Sequence, residues 1–136
     1  MISLVPEEYH VMTNEAGLRM GKGVLRAADV AIVRRERLDQ VDDNYLSIPP
    51  DVVVEVDTQA EFEKGEVPMG YGTNKTQALL DFGVGKVIWV FTPSRRVLVA
   101  ERGQEAWSLV GWQTRVSVLG DVTFSIDEVP AGKPGA

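Results

Sequence analysis

The sequence predicts an α/β domain: a mixed β-sheet with one main flanking helix and additional β-hairpins toward the C-terminus. Three observations predict it. Short apolar runs of strand composition recur along the chain, bounded by turn residues. Only one segment, TNKTQALLDFG at about 73 to 82, joins helical spacing of apolar residues to start and stop signals. The strands before and after it do not alternate with further helices, which excludes a doubly wound βαβ series.

The elements follow in order. YHVMT (9–13) and GLRMG (17–21) read as short strands around a turn at Asn14 to Gly17. ADVAIVRRERL (28–38) begins as a strand and becomes charged at its end. LDQVDDNYLSIPP reads as an acidic, turn-rich loop, and DVVVEVD (51–57) as the next strand. TQAEFEKGEVPMGYGT reads as a long glycine-bearing loop. Thr73 or Asn74 can cap the helix, and Gly83 can end it. GKVIWVFTP (85–93) is a strongly apolar strand stopped by a proline. RRVLVAERG and AWSLVGW form a hairpin through Gly103, and RVSVLG and DVTFSIDEV add two short strands. Residues 1–130 make a single domain, and the Pro/Gly-rich residues 131–136 a flexible tail.

Composition bounds the function. At 136 residues with 44% apolar and 25% charged residues, the chain is long enough for a real core and has a globular balance. It has no cysteine, which excludes a disulfide framework and thiolate zinc sites. Its single histidine, His10, excludes any site that needs two, and by itself reads as structural or solvated. No apolar run is long enough to span a bilayer, and MISLVPEEYH lacks the pattern of a signal peptide. These features favour a cytoplasmic protein without a membrane role. A net charge of -6 gives no general pull toward nucleic acid. Such a partner would need a local basic patch or cations held by the acids.

The acids are patterned. Side chains alternate along a strand, so Val52, Val54 and Val56 share one face, and Asp51, Val53, Glu55 and Asp57 the other. On the strand at 28–33, Asp29, Ala31 and Val33 share a face. If the two strands pair, Asp29 and Glu55 can lie side by side, and a divalent cation between them would relieve their repulsion. Oxygen-only ligands of this kind suit magnesium or manganese. In the helix, Lys75, Leu79 and Phe82 fall at i, i+4 and i+7 and share a face. Lys75 then starts on the core side, where it either snorkels outward or pairs with an inward acid such as Glu55.

Each residue also has a plainer reading. Glu55 and Asp29 could be solvated positions on half-exposed strands. Asp51 follows two prolines and suits a turn, and Asp57 suits a strand-end cap. Lys75 could be a surface lysine, although the positive helix N-terminus is a poor place for a cation. RRER (34–37) is either a phosphate-contacting patch or a solvated strand end. Trp89 and Phe91 read as core, and Trp107 and Trp112 as a hairpin packing surface.

Four stretches in order, AADVAIV, PPDVVVEV, KTQALLDFGV and VIWVFTP, carry a resemblance. With the upstream NEAGLRMG and the hairpin RRVLVAERG, the chain from about 13 to 129 resembles the Uma-type restriction endonuclease family, a branch of the PD-(D/E)XK nuclease superfamily. The resemblance implies a restriction-endonuclease-like fold and a magnesium- or manganese-dependent endonuclease acting on nucleic acid, DNA above all. It places the family's catalytic acids on Asp29 and Glu55 and its lysine on Lys75. Asp29 and Glu55 would be metal ligands, with Asp57 a weaker one. Asp57 stands where the superfamily commonly has lysine, which in this branch commonly comes from the helix instead. Three departures stand out. Ala28 replaces the proline before the first acid, and the segment between Glu55 and Lys75 lacks the family's Ser-Pro-Ser start and is longer, which would displace Lys75. The family's N-terminal helical region, which often supplies a further glutamate, has no counterpart: either this is a trimmed member, or Glu7, Glu8 or Glu15 partly substitutes, or the site is incomplete. The alternative is a catalytically inactive nuclease-fold protein serving as a binding or assembly module, for example a homodimer.

Overall fold

The computed structural model describes residues 8–13, 16–21, 24–42, 45–46, 48–58, 71–119 and 122–125. The centre is a six-stranded mixed sheet. Its strands are β1 (Tyr9–Met12), β4 (Val30–Arg34), β7 (Val52–Asp57), β8 (Lys86–Phe91), β9 (Arg96–Glu101) and β10 (Ser108–Gly111), in that spatial order. Every neighbouring pair is antiparallel except β7 and β8, which run parallel. A parallel pair needs a crossover, and the helix α1 (Tyr71–Phe82) lies in the connection.

Both faces of the sheet are covered, and the strand sequences explain why. KVIWVF is almost continuously apolar, as expected of a strand buried on two sides, and VVVEVD is apolar apart from its two acids. Alternation sends Val53, Val87, Trp89, Phe91, Leu98 and Ala100 to the face under α1, where they pack with Leu79, Leu80 and Val84. Leu18 and Ala28 join this core from β2 (Ala16–Gly21) and β3 (Val24–Ala28). Val52, Ile88 and Val97 point the other way, against Val116, Val118 and Leu119 of β11 (Val116–Leu119). β11 pairs with β12 (Val122–Phe124) as a separate ribbon. A further four-stranded sheet runs β3-β2-β6-β5, with β5 at Val41–Asp42 and β6 at Tyr45–Leu46. No helix among the described residues is long and apolar enough to cross a membrane.

The expected architecture of a mixed sheet, one main helix and C-terminal hairpins is the one observed. Three local expectations need correction. The strands at 9–12 and 16–21 are not partners: β1 lies against β4, with Tyr9 opposite Arg34, and β2 pairs with β3. Adjacency in sequence was outweighed by the chance to bury Met12 on the main core. The stretch read as an acidic loop contains β5 and β6, each too short to leave a periodic signal. Beyond Arg34 the chain turns into a 3-10 helix over Arg35–Gln40 instead of continuing as a strand. Of the expected loop at 58–73, the last three residues belong instead to the helix, which starts at Tyr71; residues 59–70 and the expected tail at 131–136 lie outside the described residues.

The helix starts at Tyr71, so Thr73 and Asn74 sit in its first turn and do not cap it. Its end is as expected. Gly83 has φ 122°. Its N–H donates to Leu80 O at 3.0 Å, and the Val84 N–H donates to Leu79 O at 3.0 Å. That is the paired closure of a Schellman motif, with Val84 and Leu79 both fully buried beside it. A Cβ on Gly83 would come 2.8 Å from Pro49 Cγ. Gly83→Ala therefore meets both backbone strain and a clash. It should cost on the order of 1–3 kcal/mol, read as a lower urea midpoint with unchanged slope.

Candidate active site

Three segments meet on the α1 side of the sheet. β4 and β7 pair antiparallel, with Val30 opposite Val54 and Ala31 opposite Val53. Continued by one residue, this register sets Asp29, in the bend between β3 and β4, level with Glu55. The Val56 N–H donates to Asp29 Oδ2 at 2.8 Å, which fixes that carboxylate against β7. Asp29 is half-buried and within hydrogen-bonding reach of the Glu55 carboxyl. Glu55 alternates with Val53 and so points into the helix-covered face, where only 4% of it is exposed.

Lys75 comes from the first turns of α1. Its Nζ lies 2.9 Å from Glu55 Oε1 and donates to Ala27 O at 2.7 Å. The lysine thus ties α1 to both β7 and β3. The approach to Glu55 pairs the charges but is off hydrogen-bond alignment, so buried Oε1 keeps an unfilled acceptor direction. The distance is what matters for the ion pair, since charge attraction depends on separation.

Burial pushes the Glu55 carboxyl above its ordinary value of 4.5, and the nearby Asp29 adds to the rise. Lys75 pulls the other way without cancelling the effect. An ionised carboxylate loses more by leaving water than this single ammonium returns.

The other expected residues fall elsewhere. Asp57 ends β7 half-buried, and its carbonyl accepts the Thr92 N–H at 3.0 Å. Among the described residues, no three His, Cys, Asp or Glu side chains gather closely enough to hold a metal ion, so Asp57 forms no three-acid group with Asp29 and Glu55. Asp51 is a structural junction, in line with its turn reading. Its Oδ2 accepts the Arg34 N–H at 2.9 Å and pairs with Arg37 at 3.3 Å. Its backbone N–H donates to Ile32 O, and its carbonyl accepts the Lys86 N–H. Arg37 also donates to Pro49 O at 2.6 Å, and Arg34 lies over the Tyr9 ring. These two arginines of RRER brace the strand ends. Glu8 is exposed, and Glu7 and Glu15 lie outside the described residues.

Trp89 and Phe91 are core, 4% and 1% exposed and stacked at 5.7 Å. Trp107 and Trp112 pack on opposite cores. One partnership escaped the sequence reading. The Trp89 indole N–H donates to Thr76 Oγ1 at 2.7 Å, immediately beside Lys75. The available signal was a threonine on the same helical column as Leu80, an unusual place for a hydroxyl without a partner.

The donor set suits a hard cation in part. It offers two neighbouring carboxylates, and Oε1 of the buried one already faces the Lys75 ammonium at 2.9 Å. Magnesium is commonly held by one or two carboxylates, with water and substrate completing its shell.

No protein-family profile matches the sequence, and no curated protein matches it. Among solved structures the chain is similar to a "putative nuclease belonging to DUF820" from Anabaena variabilis, with a TM-score of 0.70. Identity is 16%, over 89% of this chain and 67% of that one. The likeness establishes the fold class as a nuclease-like α/β fold.

The raised Glu55 value sets a pH dependence with a definite sign. The folded state holds this proton more firmly than the unfolded state, so the Glu55 contribution to stability is full below pH 4.5. It is lost as pH rises through the elevated folded value. Unfolding measured from pH 4 to 8 should show Glu55→Gln losing less stability across this window than the wild type. Equal slopes would mean that the carboxyl is not perturbed.

Proposed function

We propose that the protein is a divalent-metal-dependent endonuclease that hydrolyses phosphodiester bonds of nucleic acid. The observation that carries the reading is the convergence of Asp29, Glu55 and Lys75, from two paired strands and the helix above them, on a nuclease-like fold. Strand register, inward alternation and helix placement together bring the two acids and the lysine to one place.

In this reading Asp29 and Glu55 would hold the cation, and Asp57, which forms no three-acid group with them, is not among its direct ligands. Bound magnesium or manganese supplies Lewis-acid polarisation of a phosphoryl oxygen and eases deprotonation of a water. Lys75 holds a positive charge against Glu55. There it can orient the attacking water or stabilise charge developing on the phosphate. The Val56 N–H keeps the Asp29 carboxylate oriented. The burial of Glu55, 4% exposed, limits water around it and strengthens each of these interactions.

A second reading keeps the fold without the chemistry, as a binding or homodimeric assembly module. It draws on the lack of a third metal-ligating side chain among the described residues and on exposed Val11 and Val56.

Manganese binding followed by its electron paramagnetic signal separates the two. The nuclease reading expects saturable binding that Asp29→Asn and Glu55→Gln each weaken at least about tenfold, the loss of one charged ligand contact being worth 1.4 kcal/mol or more. It also expects nicking of plasmid DNA in magnesium or manganese, abolished by Glu55→Gln and strongly reduced by Lys75→Met. Absence of both binding and nicking in the wild type would favour the assembly reading, which sedimentation would then test.

A further inference from the structure

Apolar contact holds much of α1 against the sheet, and such contact is non-directional. Leu79 and Leu80 would stay buried through small rotations or slides of the helix. The Lys75 ammonium would not tolerate them, because it must meet a carboxylate and a carbonyl from two different strands. A directional anchor is present next to it. Trp89 Nε1–H donates to Thr76 Oγ1 at 2.7 Å, with Thr76 wholly buried and Trp89 4% exposed.

The placement of this bond is specific. Trp89 is the register partner of Glu55 across the parallel β7–β8 pair. Thr76 follows Lys75 directly in α1. Two consecutive helix residues therefore reach two register-matched strand residues, one by ion pair and one by hydrogen bond. Adjacent strands lie about 4.8 Å apart, so both contacts sit at one level of the sheet. The indole is itself held by its parallel stack on Phe91, with 6° between the rings.

We propose that Trp89 and Thr76 are positioning residues for Lys75. The indole–hydroxyl bond sets the rotation and height of α1 so that the ammonium arrives between Glu55 and the Ala27 carbonyl. The chemical use of Lys75 rests on the nuclease reading; its positioning does not.

The test follows the Lys75 ammonium directly, by NMR of protein carrying 15N-labelled lysine, with Lys75→Met assigning the signal. An ammonium buried in two contacts exchanges its protons slowly and gives a resolved resonance. Thr76→Val keeps the shape and removes the acceptor. Trp89→Phe removes the donor and keeps a ring on Phe91. Both should stay folded by circular dichroism and lose the resolved Lys75 resonance, and Thr76→Ser should retain it. Should Thr76→Val fail to fold, Trp89→Phe reads the same bond from its other end. A purely structural bond would lower the unfolding midpoint and leave the resonance unchanged in both variants, and that result overturns the proposal. So does a wild type without the resonance. If the wild type nicks DNA, Thr76→Val should lower kcat on the order of ten- to a hundredfold with KM little changed, and Thr76→Ser should restore it. A wild type that never cleaves removes the nuclease reading, while the resonance still decides the positioning.

Discussion

A carboxylate buried in an apolar sheet face is the constraint on which the rest depends. Glu55 lies on the face of the sheet where Val53, Val87 and Trp89 are buried. Left alone there, an ionised side chain would be strongly disfavoured. The surrounding structure answers with Lys75 from above and Asp29 alongside, and these two contributions oppose each other. Removing either partner of a buried pair usually costs more than the pair contributes, because the survivor is stranded. The helix position, the β4–β7 register and the ionisation of the carboxyl are therefore coupled.

That coupling explains what the sequence made legible. The acid stripe of DVVVEVD follows from alternation alone, and the inward lysine follows from its spacing to Leu79 and Phe82. Both signals are local, and both survive folding. The pairing of the strands at 28–33 and 51–57 could be posed only as a condition, since register is decided by distant contacts. The structure meets that condition with Val30 opposite Val54. The Trp89–Thr76 bond was not legible for the same reason: it joins residues 13 apart whose faces become known only once α1 is docked.

The misses have a common physical source. β5 and β6 have two residues each, and β1 prefers the edge of the main sheet to the strand next in sequence. Short strands are stabilised by neighbours more than by their own composition. The acids divide in a similar way. Asp51 and Glu55 are two turns of the same alternation, yet one became a brace for strand ends and the other the buried member of an ion pair. Alternation assigns a face; it does not say which positions on that face lie at the end of the strand and which beneath the helix.

The Asp51 junction has a bearing on portability. Through side chain and backbone together, this one residue bonds to positions on β4, the 3-10 turn and β8, while Pro49 just before it abuts the helix terminus at Gly83. Asp29, Glu55 and Lys75 are thus not a linear motif that could be grafted onto another sheet. A designer who transplanted the three side chains without the PPD corner and the glycine it leans on would move the charged groups and leave behind the jig that aligns them.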